Sequence, residues 1–391
     1  MSLETIELKE FKITNLPAEK LSVEIGKFLQ RQYRNKISIE FPSLGTNNQW
    51  KLLSKGWVGF IPLTPLITLR LSPKIEITNL FQMLQYAYDF EIQFQDELIN
   101  CATIEGFYEK LAHLLALRVL NRAQKGFYRT YISTTERLSC IRGRLDIKHA
   151  IYNPWEVKLK CNYQELTGDV PENQILIWTL FILSHSGVCN RTLPIIRQAY
   201  QALQGLATVQ PYNSEDCVNR HYSRLNEDYR PLHALCRFFL ESTGASHHEG
   251  DYAMLAFLVN MAKLFESFVA SWLTQNLPPD YRLEKQERLI IDSTQGLFLQ
   301  VDIVIYETKS STVRYVLDTK YKSKYKSEDF SQIISYAFGK KCREAVLVYP
   351  EAPDRCLNQW VNDIHVRTLI FSLDGNLEEA GKLFLDTLLQ N

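Results

Sequence analysis

The sequence carries no net charge, no Cys-x-x-Cys pair, no glycine-rich phosphate loop and no apolar run of membrane length, and each absence removes a class of function. Its eight cysteines, Cys101, Cys140, Cys161, Cys189, Cys217, Cys236, Cys342 and Cys356, are scattered, which argues against a structural zinc site and for reduced thiols in a cytoplasm. Without a Gly-x-x-x-x-Gly-Lys-Ser/Thr stretch, the chain is not expected to hydrolyse nucleotide itself. The longest apolar run, around Ile175 to Leu183, is too short to span a bilayer. Met1 to Glu7 lack the basic start and apolar stretch of a secretory signal, so a cytoplasmic location is expected.

What is present suffices for packed cores. With 46% hydrophobic and 12% aromatic residues in 391, two or three domains are expected. The balance of 44 basic and 44 acidic residues hides local asymmetry. Between Arg118 and Lys160 there are ten basic and three acidic residues, and between Val313 and Lys326 five basic and one acidic. Such stretches suit phosphate contact, although a solvated lysine face is equally expected of the second.

Residues 1–75 contain short β-like runs (Phe11 to Ile13, Ile37 to Phe41, Trp57 to Pro62, Leu66 to Leu71) punctuated by Gly and Pro, the pattern of a small β-rich domain. Residues 76–245 are mainly helical in spacing, over Leu80 to Phe90, Thr103 to Gln124, Asn173 to Leu183, Leu193 to Leu206 and Pro231 to Thr243. Between them, Tyr128 to Lys160 reads as an extended β-hairpin around Arg142-Gly143-Arg144. The two arginines alternate, so they are expected on one face of a strand, with forks suited to a partner's carbonyls or carboxylates or to phosphate. From 246 to 391 the pattern is helix, three strands, helix, strand, short helix and an edge strand over Arg367 to Leu373. The polar stretch around His247-His248-Glu249-Gly250 is the expected linker into this domain. An α+β to α/β multidomain chain follows, its last domain a mixed sheet flanked by helices.

The chemistry gathers in that last domain. Asp302 lies on one short apolar run, and Asp318-Thr319-Lys320 on the next. Alternation along a strand puts Asp318 and Lys320 on one face, and pairing symmetric about Ser310 sets Asp302 across from Asp318. Two carboxylates so close are costly to ionise together without a cation between them, and their hard oxygens suit Mg²⁺ or Mn²⁺. Upstream, Asp251 to Gln275 reads as one amphipathic helix whose apolar side is interrupted by Glu266. Downstream, Ser327 is expected to cap a helix that stops at Gly339, with Gln332 and Tyr336 one turn apart on one face.

In that order, Glu266, Asp302, Asp318-Thr319-Lys320, then Gln332 and Tyr336, the pattern resembles the PD-(D/E)xK nuclease superfamily. The resemblance implies that Glu266, Asp302 and Asp318 hold the metal, that Lys320 is the catalytic lysine, and that Gln332 with Tyr336 supports the site. Val301 stands where the name-giving Pro is usual.

Four further segments narrow the family. Leu71-Ser72-Pro73-Lys74-Ile75, Leu80 to Ala87, Ile141 to Asp146 and Glu165 to Asn173 resemble the McrC family, the nuclease subunit of McrBC-type modification-dependent restriction systems. That resemblance implies a separate McrB-like AAA+ GTPase partner, docked on the N-terminal half, and double-stranded DNA bearing modified cytosine such as 5-methylcytosine as substrate. It places Arg142 and Arg144 at the GTPase ring ahead of DNA, and leaves Lys322 and Lys324 as further contacts to partner or DNA. A stand-alone or differently partnered nuclease for repair or defence is one alternative. A non-enzymatic adaptor of an AAA+ ring is another.

Overall fold

A computed structural model of the chain describes residues 4–64, 66–90, 103–186, 191–249, 252–292 and 297–390. The protein is mixed α/β, with several sheets and, among the described residues, ten α-helices. Met1–Ile104 together with Ala256–Asn391 form one compact unit, and Glu105–Leu255 a second. No described helix is long and apolar enough to cross a membrane. Cys101 and Cys189 lie outside the described residues, and the other six cysteines are free.

The N-terminal part runs β1 (Glu4–Lys9), β2 (Ile13–Pro17), α1 (Val23–Gln32), β3 (Ile37–Glu40), β4 (Gln49–Ser54), β5 (Trp57–Thr64), β6 (Ile67–Ser72) and α2 (Ile77–Tyr88). Three of the expected β-runs are strands β3, β5 and β6. Phe11, expected in a strand, instead sits in a turn with a positive φ of 56°. Helix α1 went unread; Ser22 caps it, its side chain accepting from the Ile25 amide. β2, β4 and β3 form one antiparallel sheet, while β1 runs parallel and β5 antiparallel to β6. Leu8, Leu52, Leu69 and Leu71 are fully buried in their shared core.

From Glu105 the second unit comprises all but the first residue of α3 (Ile104–Lys125), followed by β7 (Thr130–Leu138), β8 (Arg144–Leu145), α4 (Ile147–Tyr152) and β9 (Leu159–Thr167). The expected hairpin is thus a three-stranded sheet with β9 in the middle, antiparallel to both neighbours. Gly143 has φ +70°, and a Cβ there would stand 2.6 Å from the Asn162 carbonyl oxygen, so only glycine permits this crossing. Helices α5 (Pro171–Ser184), α6 (Leu193–Leu203) and α7 (Arg230–Ser242) follow the sequence spacing closely, and α5 packs on both others. Buried Asn173 ties the unit together: its amide donates to the carbonyls of Tyr128 (2.9 Å) and Gly168 (2.7 Å) and its oxygen accepts from the Tyr229 hydroxyl (2.6 Å). The stretch expected as a linker is largely strand β10 (Thr243–Glu249); Gly250 is outside the described residues.

The rest of the chain comprises β11 (Tyr252–Asn260), α8 (Met261–Asn276), β12 (Tyr281–Asp292), β13 (Leu297–Glu307), β14 (Val313–Thr319), α9 (Ser327–Gly339), β15 (Glu344–Tyr349), β16 (Asn358–Val361), β17 (Ile364–Ile370) and α10 (Leu377–Leu389). The single helix expected over Asp251 to Gln275 is corrected here, because its first half is a strand. Phe257 to Asn260 pair antiparallel with Trp57 to Phe60, and this tertiary pairing overrides the helical spacing. Gly59 makes the approach possible, since a Cβ on it would lie 2.0 Å from the Phe257 oxygen. Asn260 then starts the helix, its Oδ1 accepting from the amides of Ala262 (3.0 Å) and Lys263 (3.2 Å).

The largest sheet has the order β12-β13-β14-β15-β17-β16. Its first three strands are antiparallel, β14, β15 and β17 are parallel, and β16 is an antiparallel edge. β17 is therefore interior, not the edge strand expected, and the expected short helix before it is β16. Helix α8 packs on β12 and β14, α9 on β14, β15 and β17, and α10 on β17. Both faces of the central strands are buried: Val301, Ile303, Val304, Ile305, Val316 and Leu317 are all fully covered. Gly339, expected to end α9 by its backbone freedom, is instead its last residue and is there for space, as a Cβ would meet Leu289 at 2.3 Å.

Candidate active site

Three elements converge where β13 and β14 meet. Their register pairs Ile305 with Tyr315, Val304 with Val316 and Ile303 with Leu317; one step further sets Asp302 opposite Asp318, the pairing that symmetry about Ser310 requires. Asp302 Oδ2 accepts from both the amide (2.9 Å) and the hydroxyl (3.1 Å) of Thr319. Asp318 is only 1% exposed. Lys320 leaves the strand with its amide donating to the Val348 carbonyl (2.8 Å), and its ammonium lies 2.7 Å from Asp318 Oδ2. That ammonium also donates to Gln332 Oε1 (3.1 Å), and Gln332 Nε2 donates to the Tyr336 hydroxyl (2.5 Å). The one-turn spacing on α9 thus serves to reach a lysine just past the end of β14.

Glu266 enters from α8. It is half-buried, and its Oε1 accepts from the Gln286 side chain (3.0 Å). Of the neighbours expected around it, Val259, Val269, Ala270 and Leu273 are buried, whereas Ala262 is exposed.

The electrostatics are those of carboxylates crowded out of water. Burial, and then the negative charge of Asp302, push the Asp318 carboxyl up to about 7 against the pull of Lys320. The same two causes, in the same order, raise Glu266. For Lys320 burial alone would lower the pKa, but Asp318, Asp302 and Asp329 outweigh it, and the side chain is held as an ammonium.

Asp318 Oδ2 is buried, and the atom that meets it is the Lys320 ammonium at 2.7 Å. One ammonium offsets one buried carboxylate, whereas Asp302 and Asp318 are two, and paired carboxylates fit a hard divalent ion that keeps several waters. Among the described residues, no three of His, Cys, Asp and Glu gather closely enough to enclose a metal as they stand. The fit is therefore that of Asp302 with Asp318, Glu266 being turned onto Gln286.

Lys322 is not a free surface cation. Its ammonium lies 2.6 Å from Oδ2 and 2.8 Å from Oδ1 of buried Asp329, fastening the first turn of α9. Lys324 is exposed. In the second unit, Arg144 is in β8, while Arg142 precedes the strand, stacked 4.0 Å over the Tyr163 ring and 3.6 Å from Glu165. The expectation that both arginines lie on one strand is corrected accordingly, since the left-handed turn at Gly143 comes between Arg142 and β8, yet both line one cavity with Thr135, Asn162 and Tyr163.

Sequence reading missed Thr319 and Gln286. Thr319 sits inside the Asp-x-Lys motif, where a hydroxyl able to grip the opposite Asp was the available signal. Gln286 lies between the paired positions Lys285–Ile303 and Glu287–Val301, with a positive φ of 49°; only the β12–β13 register reveals it.

A family model described as McrBC 5-methylcytosine restriction system component matches residues 52–350. Among solved structures, the chain is similar to one in a refined half-complex from a tetradecameric assembly of Thermococcus gammatolerans McrB AAA+ hexamers with bound McrC. Identity is 19% over 98% of this chain and 99% of that one, with a TM-score of 0.53. It is also similar to a chain in the cryo-EM structure of the Thermococcus gammatolerans McrBC complex, at 20% identity over 70% of this chain and 88% of that one, TM-score 0.47. The first likeness is one of fold. No curated protein matches the chain.

Proposed function

Since the chain belongs to the McrBC 5-methylcytosine restriction system component family, we propose that it is the nuclease subunit of such a system. In this reading residues 246–391 form a PD-(D/E)xK endonuclease domain that uses Mg²⁺ or Mn²⁺ to hydrolyse phosphodiester bonds in double-stranded DNA carrying modified cytosine. The remainder docks on and stimulates an McrB-like AAA+ GTPase. The observation that carries the reading is the convergence of Asp302, Asp318, Lys320 and Gln332 on one end of β14, with Asp318 enclosed beside a second carboxylate.

Asp302 and Asp318 are the residues to hold the cation, and Glu266 can join them from α8. When bound there, the cation supplies Lewis-acid chemistry, neutralising phosphate charge and lowering the pKa of a bound water. Thr319 holds Oδ2 of Asp302 and so sets the carboxylate's rotation. Lys320, its ammonium oriented by Gln332 and by Tyr336 behind it, donates to a phosphate oxygen or to the attacking water and stabilises the negative charge that grows in the transition state.

Support for docking comes from the second unit. Around the β7-β9-β8 sheet, Tyr131, Ile141, Ile151, Tyr152, Trp155 and Val157 are exposed, Trp155 at 74% and Val157 at 90%. Large apolar side chains left exposed along one short stretch of chain suit a protein interface. The neighbour of like fold is described as McrC bound to McrB AAA+ hexamers.

The test is cleavage of methylated DNA by the chain with its GTPase partner. Asp318→Asn and Lys320→Met are each expected to slow cutting by about three orders of magnitude while GTPase stimulation persists. Undiminished cutting by either variant sinks the site assignment. Stimulation without any cutting by the wild-type chain favours the adaptor reading.

A further inference from the structure

Tyr321 follows Lys320 directly and is buried. Its ring centroid lies 5.9 Å from that of Phe265, the residue before Glu266, so one side chain touches both the segment bearing Lys320 and the helix bearing Glu266. Its hydroxyl donates to Glu10 Oε2 (3.1 Å), just beyond β1. The same oxygen accepts from the Lys74 amide (3.3 Å). The Lys74 ammonium stands 4.8 Å over the Tyr321 ring and pairs with Glu351 at 2.6 Å. Lys74 belongs to Leu71-Ser72-Pro73-Lys74-Ile75, a motif that the cleavage site itself does not use.

Glu10 is 5% exposed, and its Oε1 is buried without a hydrogen bond. A carboxyl there is a costly way to fill space, and apolar residues of similar volume pack such positions at lower cost. What the carboxyl provides is a directional anchor: one oxygen that fixes both a tyrosine hydroxyl and the backbone of the Lys74 segment.

We propose that Glu10 and Tyr321 are positioning residues for the Asp318–Lys320 centre, tying the N-terminal sheet to the two elements on which that centre is built. The inference rests on the nuclease reading of Asp318 and Lys320. Tyr321 holds the exit of β14 at a fixed distance from α8, and Glu10 holds Tyr321. A shift of the N-terminal strands is thereby transmitted to the spacing between Glu266 and Lys320.

The experiment uses the full-length chain, with Mn²⁺ affinity read by electron paramagnetic resonance titration and cleavage measured with the GTPase partner. Tyr321→Phe and Glu10→Ala are each expected to weaken Mn²⁺ binding and lower kcat about tenfold with KM for DNA unchanged. Because both act through one hydrogen bond, the double variant is expected to be no worse than either alone. Glu10→Gln, which still accepts from the hydroxyl, is expected to keep near-wild-type affinity. Wild-type Mn²⁺ affinity in Tyr321→Phe and Glu10→Ala, or fully additive losses, overturns the positioning role whatever happens to melting temperature. The affinity pattern without cutting by the wild-type chain overturns the nuclease reading alone. Failure of the wild-type chain to bind Mn²⁺ overturns both.

Discussion

Asp318 lies on a strand whose neighbours Val316 and Leu317 are fully buried, and its carboxyl is moved from an ordinary 3.8 to about 7, first by burial and then by Asp302. The sign of the consequence is definite. A folded-state pKa above the unfolded one means that the folded chain binds the proton more tightly, so the contribution to stability is complete below about 4 and is lost as pH rises through about 7. Glu10, pushed up to about 7 by burial, acts in the same window. In chelator, the urea midpoint of the wild-type chain is expected to fall between pH 4.5 and 7.5 more steeply than that of Asp318→Asn, and Mg²⁺ is expected to flatten the wild-type slope. Parallel pH profiles for the two proteins in chelator would contradict the assignment of the buried proton. At this scale much of the site was legible: alternation along β14 and the turn spacing of Gln332 and Tyr336 follow from backbone geometry alone. Burial was not. The Asp-x-Lys motif reads equally well on a solvated hairpin, and only the helices packed around the sheet reveal that Asp318 is enclosed. Glu10 was invisible for a related reason, since its partner Tyr321 lies 311 residues away.

Among the elements, those fixed by local signals came out as read and those fixed by distant partners did not. Helices α5 and α7 carry their own apolar spacing and were found within a few residues of their ends. β11 has helical spacing too, but the edge of β5 not taken by β6 offers it hydrogen bonds that a helix cannot use, and the strand wins. The basic segment between α3 and α5 illustrates a third case, in which the expected hairpin has one strand more and Arg142 stands outside β8 because of the turn at one glycine. Its exposed apolar residues set an expectation at the same scale. Trp155→Ser with Val157→Ser touches no packed core, so unfolding free energy is expected to change by about 0.5 kcal/mol or less per site, while stimulation of partner GTPase turnover drops about tenfold. Unchanged stimulation across a titration of the double variant would remove this sheet from the interface.

For the whole molecule, the division into compact units bears on what can be cut apart. Glu105–Leu255 has its own buried set, with α5 packed on α6 and α7, rings of Phe107 and Phe238 and of Tyr108 and Phe239 in edge contact, and the Asn173 network at its centre. Residues 105–255 expressed alone are expected to unfold cooperatively and to raise GTPase turnover. A broad, non-cooperative melt would show that the unit needs the rest of the chain. A fragment ending near residue 245 is expected to fare worse than its length suggests, because it omits the strand that pairs with β5. Sequence pattern divided the chain by composition, at about residues 75 and 245, and composition carries no information about which distant strands meet.

The pairing of Trp57–Phe60 with Phe257–Asn260 also imposes an order of events during synthesis. β5 leaves the ribosome about 200 residues before its neighbour exists, which at cellular elongation rates is a wait of roughly 10 to 40 s. Through that interval its hydrogen-bonding edge is open to any other strand, a standing invitation to mispairing in a crowded cell. The same delay sets when the Asp318–Lys320 centre can assemble. Glu10 and Lys74 emerge early, but Asp318, Lys320 and Tyr321 follow more than 240 residues later, so the buried contacts that join them close only after residue 321 has been made.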